Sequence, residues 1–132
     1  MENILIVMPA IPTRGIAVFP GVKTNIDVGR EAARNAVNEA MQADKRIFLV
    51  MQMDETVDVP TTHDCMKVGV IARILRSVNV GSDIIRISVE GMERAPLNEL
   101  QIQDNIFRAC IGAPFAASEP QQPEAEAYRD II

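Results

Sequence analysis

Tryptophan is absent from this 132-residue chain, tyrosine occurs once, histidine once and cysteine twice. Aromatic residues make up 4% while hydrophobic residues make up 48%, so a core must be assembled from Val, Ile, Leu, Met and Ala rather than from stacked rings. A chain of this length buries roughly two-thirds of the surface its unfolded form exposes, enough for one core. Cys65 and Cys110 stand far apart with no second pair, which excludes a disulfide framework or a zinc site and fits two reduced thiols in a cytoplasmic protein. Basic charge is also short: 13 Lys and Arg against 18 Asp and Glu give a net charge of -5. Nucleic-acid binding by counterion release needs the opposite balance, so no nucleic acid is expected as a partner. Long apolar runs are lacking too. Ile4-Leu-Ile-Val-Met8 spans five residues, follows no basic region and is closed by Pro9, so it is neither a membrane span nor a signal peptide.

What is present is strand pattern with one helical interruption. A first strand is predicted over residues 4–11. The apolar run at 16–19 then enters Phe19-Pro20-Gly21, where a fixed φ followed by a residue tolerant of positive φ shapes a defined loop. From Arg30 to Ala43 the period becomes helical, with Ala33, Ala36, Val37, Ala40 and Met41 on one face. Gly29 stands at the expected cap and Glu31 in the first turn complements the helix dipole. With alanine at nearly every apolar position, the helix should lie close against a sheet.

Ile47-Phe-Leu-Val-Met51 reads as a strand covered on both faces and therefore central. The stretch 54–64, with four acidic residues and Pro60, reads as an exposed loop. Two long strand patterns follow, at 68–75 and 84–95, joined by a turn at Val80-Gly-Ser-Asp83; strict alternation in the second gives one core face and one wet face. Gly91 interrupts that strand as a candidate bulge. Shorter strands are predicted at 97–102 and 106–111, making six strands and one helix. After Gly112, the prolines at 114, 120 and 123 mark a linker, and a helical pattern restarts at Glu124 with Tyr128, Ile131 and Ile132 on one side. The reading is a folded unit at 1–112 and, at 113–132, a linker with the start of a helix that implies a longer parent protein.

Catalytic chemistry has no local motif. No glycine is followed by lysine, so G-x-x-x-x-G-K-[ST] is missing and with it P-loop nucleotide hydrolysis. The serines and lysines form no motif of a Ser-Lys pair. His63 stands alone, and Asp54, Glu55, Asp58 and Asp64 lack calcium-loop spacing. No catalytic, cofactor or metal residue is expected. The candidate protein contacts are the loop residues Phe19, Pro20, Gly21 and Val22, together with Arg30 and Glu31, where an arginine at a helix amino terminus can hold a peptide carboxylate.

Six motifs in order resemble the amino-terminal domain of the Lon family of ATP-dependent proteases: Ile11-Pro-Thr-Arg14, Phe19-Pro-Gly21, Val28-Gly-Arg-Glu31, Asp44-Lys45 with Ile47 to Gln52, Val68-Gly-Val-Ile-Ala-Arg-Ile74, and Val89-Glu-Gly-Met-Glu-Arg-Ala95. Thr13 and Gly15 stand where that family usually carries leucine and aspartate. The resemblance implies an α+β fold, mainly β: a six-stranded, partly closed PUA-like β-barrel with one helix packed on it. It further implies a non-catalytic module that recruits unfolded or damaged proteins and supports a homo-hexamer. ATP and Mg²⁺ would belong to an ATPase module, and serine-lysine peptidase chemistry to a further module, neither of which is present in this sequence. The competing readings are a purely structural assembly domain and a stand-alone PUA-like ligand- or RNA-binding module.

Overall fold

The computed structural model describes residues 5–115. Six strands and one long helix appear in the order β1 (Ile6–Thr13), β2 (Lys23–Val28), α1 (Glu31–Met41), β3 (Arg46–Met51), β4 (Val68–Asn79), β5 (Ile85–Gln103) and β6 (Ile106–Ile111). A 3₁₀ turn, Thr62–Asp64, lies between β3 and β4. The predicted linker and restarting helix lie outside the described residues from position 116 onward.

The sheet runs β2-β5-β4-β3-β1-β6, and a further β5–β6 pairing closes five of the strands into a ring. The length of β5 makes this possible: its 19 residues pair along the first part with β2 and β4, and along the last part with β6. Separate strands are expected at 84–95 and 97–102, but the structure joins them. Pro96 sits where the partners change hands, opposite Val68 at the end of the β4 pairing, while Leu97 opens the β6 pairing opposite Ile111. A residue without an N–H is tolerated at such a handover. The strand count of six is nonetheless kept, because Lys23–Val28 forms a strand that the sequence pattern did not announce.

β3 is central as expected, flanked by antiparallel β4 and parallel β1, with Ile47, Phe48, Leu49 and Val50 all buried. α1 packs on β6, β1 and β3 through Ala32, Ala33, Ala36, Val37 and Ala40. Small side chains let the helix axis approach the sheet, as its alanine stripe implies. The cap falls at Arg30 rather than Gly29, with extended backbone and no side-chain cap bond. Two further ties fix the helix: the Glu39 carboxylate accepts both Nη groups of Arg108 on β6 at 2.5 and 2.8 Å, and Asn35 donates to the carbonyl of Asn105 at 2.9 Å. Asp104 and Asn105, with φ of 57° and 60°, form the two-residue turn between β5 and β6, whose left-handed pair matches the strand twist.

The bulge predicted at Gly91 lies one residue further on. Ala72 pairs with Gly91 and Ile71 with Glu93, so Met92 is the extra residue and β5 continues through the glycine.

Candidate functional site

Two candidate surfaces flank β2, one at each end. The first is the turn at 19–22. Val22 N–H donates to the carbonyl of Phe19 at 3.1 Å, and Gly21 has φ of +80°. Proline at the second position and a positive-φ glycine at the third make a type II turn. β5 holds this turn from beneath: Gly21 N–H donates to the carbonyl of Gly91 at 2.8 Å, and Gly91 N–H donates to the carbonyl of Val22 at 3.0 Å. The approach is so close that a Cβ on Gly91 would lie 2.2 Å from the Phe19 oxygen. On this rigid base Phe19 is 58% exposed and Val22 47%, and Met92, next to Gly91 on β5, is also exposed.

The second place is a cleft of about 310 Å³ between the end of β1, the end of β2 and the start of α1. Ile11, Ile16 and Ala33 supply apolar lining, and Arg14 and Arg30 supply the cationic side. The guanidinium of Arg30 reaches back across the fold. Its Nη1 donates to Gln52 Oε1 at 2.8 Å and to the carbonyl of Asp58 at 3.2 Å, its Nη2 donates to the carbonyl of Pro12, and its Cζ lies over the Phe107 ring, 5.4 Å from the centroid. Burial, and then the neighbouring Arg14 cation, lower the Arg30 pKa, with Asp58 opposing. Gln52, buried at the end of β3, turns its amide to the carbonyls of Asp54 and Val57 at 3.0 and 2.9 Å. Arg14 adds bonds to the carbonyl of Val57 at 3.3 Å and to Asp58 Oδ1 at 3.0 Å.

The acidic stretch is therefore built rather than simply solvated. Arg14, Arg30 and Gln52 clamp residues 54–58; Asp54 accepts from the Thr56 N–H and hydroxyl; Asp64 accepts from the N–H and hydroxyl of Thr61 at the 3₁₀ turn. Of the sequence-predicted contacts, Phe19, Pro20, Gly21 and Val22 come together in the first place and Arg30 lies in the second. Glu31 is exposed in the first turn of α1. Arg14, Gln52 and Gly91 are the residues whose roles the sequence alone concealed. Arg14 and Gln52 fall within the quoted motifs, and their only signal was polarity at the ends of apolar runs.

Cys65 pairs with Gln52 in an isolated bridge and is 3% exposed. Burial first, and then the adjacent Asp64, raise its thiol pKa from 9.0 to about 11, with Arg30 opposing. A folded-state pKa raised in this way contributes stability at pH below 9.0 that is progressively lost as pH rises toward 11. In the native protein at pH 8, iodoacetamide is expected to alkylate the half-buried Cys110 before Cys65, read by peptide mass spectrometry; equal labelling would contradict the burial.

Among the described residues no three His, Cys, Asp or Glu side chains converge as a metal ligand set. No helix among the described residues is long and apolar enough to cross a membrane.

Among the described residues the fold defines a class of small mixed-sheet domain in which five strands ring a core, a sixth extends one edge and one helix closes one side. It resembles the amino-terminal domain of a Lon protease from the Mycobacterium avium complex, with a TM-score of 0.61 at 20% identity over 94% of this chain and 59% of that one. It likewise resembles a Lon amino-terminal domain protein from Xanthomonas campestris, with a TM-score of 0.60 at 14% identity over 83% of this chain and 59% of that one.

The chain belongs to the family of the ATP-dependent protease La (LON) substrate-binding domain, whose model matches residues 7–130. It is 36% identical over 119 residues to the Lon protease of Clostridioides difficile (strain 630), covering 90% of this chain and 15% of that protein. It is 42% identical over 104 residues to the Lon protease of Heliobacterium modesticaldum, covering 79% of this chain and 13% of that protein. The chain thus spans about a seventh of the length of the curated relatives it matches.

Proposed function

We propose that this chain is a non-catalytic recruiting domain that weakly engages unfolded or damaged polypeptides for an ATP-dependent serine protease in the cytoplasm. ATP and Mg²⁺ act at a separate ATPase module of that protease, and six copies in a homo-hexamer raise the effective concentration of individually weak contacts. The observation that carries this reading is the turn at 19–22: two apolar side chains held out to solvent on a backbone fixed to β5 from below. Such a surface loses little conformational entropy on binding, and an apolar contact accepts many sequences. The adjoining methionine suits varied partners for the same reason.

Titration of the isotope-labelled chain with reduced, carboxymethylated α-lactalbumin is expected to give saturable NMR shifts at Phe19, Gly21, Val22 and Met92. The double substitution Phe19→Ser, Val22→Ser should weaken that binding about tenfold. Both side chains are about half exposed and belong to a surface turn, so unfolding stability should change by no more than about 1 kcal/mol. Absence of saturable shifts at millimolar ligand would refute the recruiting role and leave the assembly role, tested by whether a parent protease lacking residues 1–112 still forms hexamers.

A further inference from the structure

β2 pairs with β5 on one side only, and among the described residues nothing pairs with its other side. Ile26, Asp27 and Val28 all line the cleft, although Ile26 and Val28 are buried and Asp27 is exposed in an ion pair with Arg86. These are the last three residues of β2 and are followed in the lining by Gly29 and Arg30, so the cleft adjoins the carboxyl-terminal end of the edge strand. The outer side of β2 that leads to the cleft has no strand partner among the described residues and presents backbone N–H and C=O groups of the kind that accept another strand.

Arg14, which lines the cleft, already holds a carboxylate of the chain itself, that of Asp58, which lies outside the lining. Arg14 uses Nη2 on Asp58 and Val57, while its Nε and Nη1 find no acceptor among the described residues. The Asp58 side chain is 89% exposed, so this carboxylate meets Arg14 from the solvent side. Exposed ion pairs contribute about 0–1 kcal/mol, so exchanging one carboxylate for another at Arg14 is close to neutral. At about 310 Å³ the cleft is at the small end of ligand sites, with room for the end of a chain rather than for a chain passing through.

We propose that the cleft receives the carboxyl-terminal end of an extended polypeptide, whose terminal carboxylate replaces Asp58 at Arg14. The last apolar side chain rests on Ile11 and Ile16, and the preceding backbone adds to the edge of β2. Because the cleft lies at the Val28 end of β2, the bound chain runs parallel to that strand, and its earlier residues extend toward the turn at 19–22. This rests on the recruiting role and specifies it: chain ends with an apolar last residue are the preferred ligands.

The test uses a fluorescein-labelled octapeptide of alternating Val and Thr ending in Val, made as the free acid and as the carboxamide, with binding to the full chain read by anisotropy. The acid should bind about tenfold more tightly than the amide. Arg14→Gln should abolish that difference between acid and amide. Asp58→Asn removes the internal competitor and should tighten the acid several-fold, whereas a role for the pair only in holding the 54–58 loop would make both variants weaken binding. Equal affinity of acid and amide, or weakening by Asp58→Asn, overturns the inference. If α-lactalbumin still shifts the resonances of residues 19–22 in that case, the recruiting role stands without the terminal specificity; if neither α-lactalbumin nor the peptides bind, both fail.

Discussion

Replacing Gly91 by alanine is expected to destabilise the protein by about 3 kcal/mol, the upper part of the range for overpacking a closely fitted site. The added Cβ would lie 2.2 Å from the Phe19 oxygen and 2.7 Å from the Phe19 carbonyl carbon. Both are backbone atoms, so no rotamer change relieves the clash; the turn must lift away from β5. Lifting breaks the two hydrogen bonds that join Gly91 to Gly21 and Val22. For a domain of this size roughly 4 °C of melting temperature accompanies each kcal/mol, so thermal unfolding should fall by about 12 °C. The α-lactalbumin contact should weaken in parallel, because the turn that presents Phe19 loses its base. Gly29→Ala is the matched control: nothing lies within 4 Å of its Cβ position and its φ is not positive, so the smaller entropy of the unfolded chain should leave stability unchanged or raised by up to about 1 kcal/mol. If both glycine substitutions act alike, the close approach at Gly91 is not what fixes the turn.

The second large effect is expected at Arg30. Alanine there removes the donors to Gln52, Pro12 and Asp58 and the cation–π contact with Phe107. Gln52 is 3% exposed, so its Oε1 is left buried and unsatisfied, which with the lost packing costs about 2–4 kcal/mol. Arg30→Lys keeps the charge but replaces a planar fork with a point donor that cannot serve three acceptors in different directions. It should recover less than half of the loss. Urea unfolding measures both values, and hydrogen exchange of the amides at 54–58 should accelerate in Arg30→Ala because that segment loses one of its clamps. A loss under about 0.5 kcal/mol would show that the network is not what ties the segment down.

Periodicity carried the elements whose partners are implied by their own pattern. The stripe Ala33, Ala36, Val37, Ala40 defines a helix that must approach closely, and the unbroken run 47–51 defines a strand with no wet face. β2 is different. Ile26 and Val28 alternate with Asn25 and Asp27, a pattern too short and polar to stand out, and it is a strand because β5 supplies its register, with Asp27 opposite Arg86 and Asn25 opposite Ser88. Pro96 misled in the opposite direction, since a proline ordinarily ends a strand, and only the change of partner at that residue removes the need for its missing N–H.

The candidate site divides along the same line. Phe19-Pro20-Gly21 announces a shaped turn in any context, because proline and glycine set their own backbone angles. That the turn rests on Gly91, some seventy positions along the chain, follows only from the docking of the turn onto β5. Arg30 was legible as a charge beside a helix start, but its bonds to Pro12, Gln52 and Asp58 join segments that no local spacing connects. The sequence by itself determined which segments become helix and core strands, since side-chain periodicity and turn chemistry are local properties. The tertiary structure alone decided which edge stays open, which carboxylate faces which arginine and how tightly the turn is held, because each depends on two distant stretches of backbone meeting within a hydrogen bond's length.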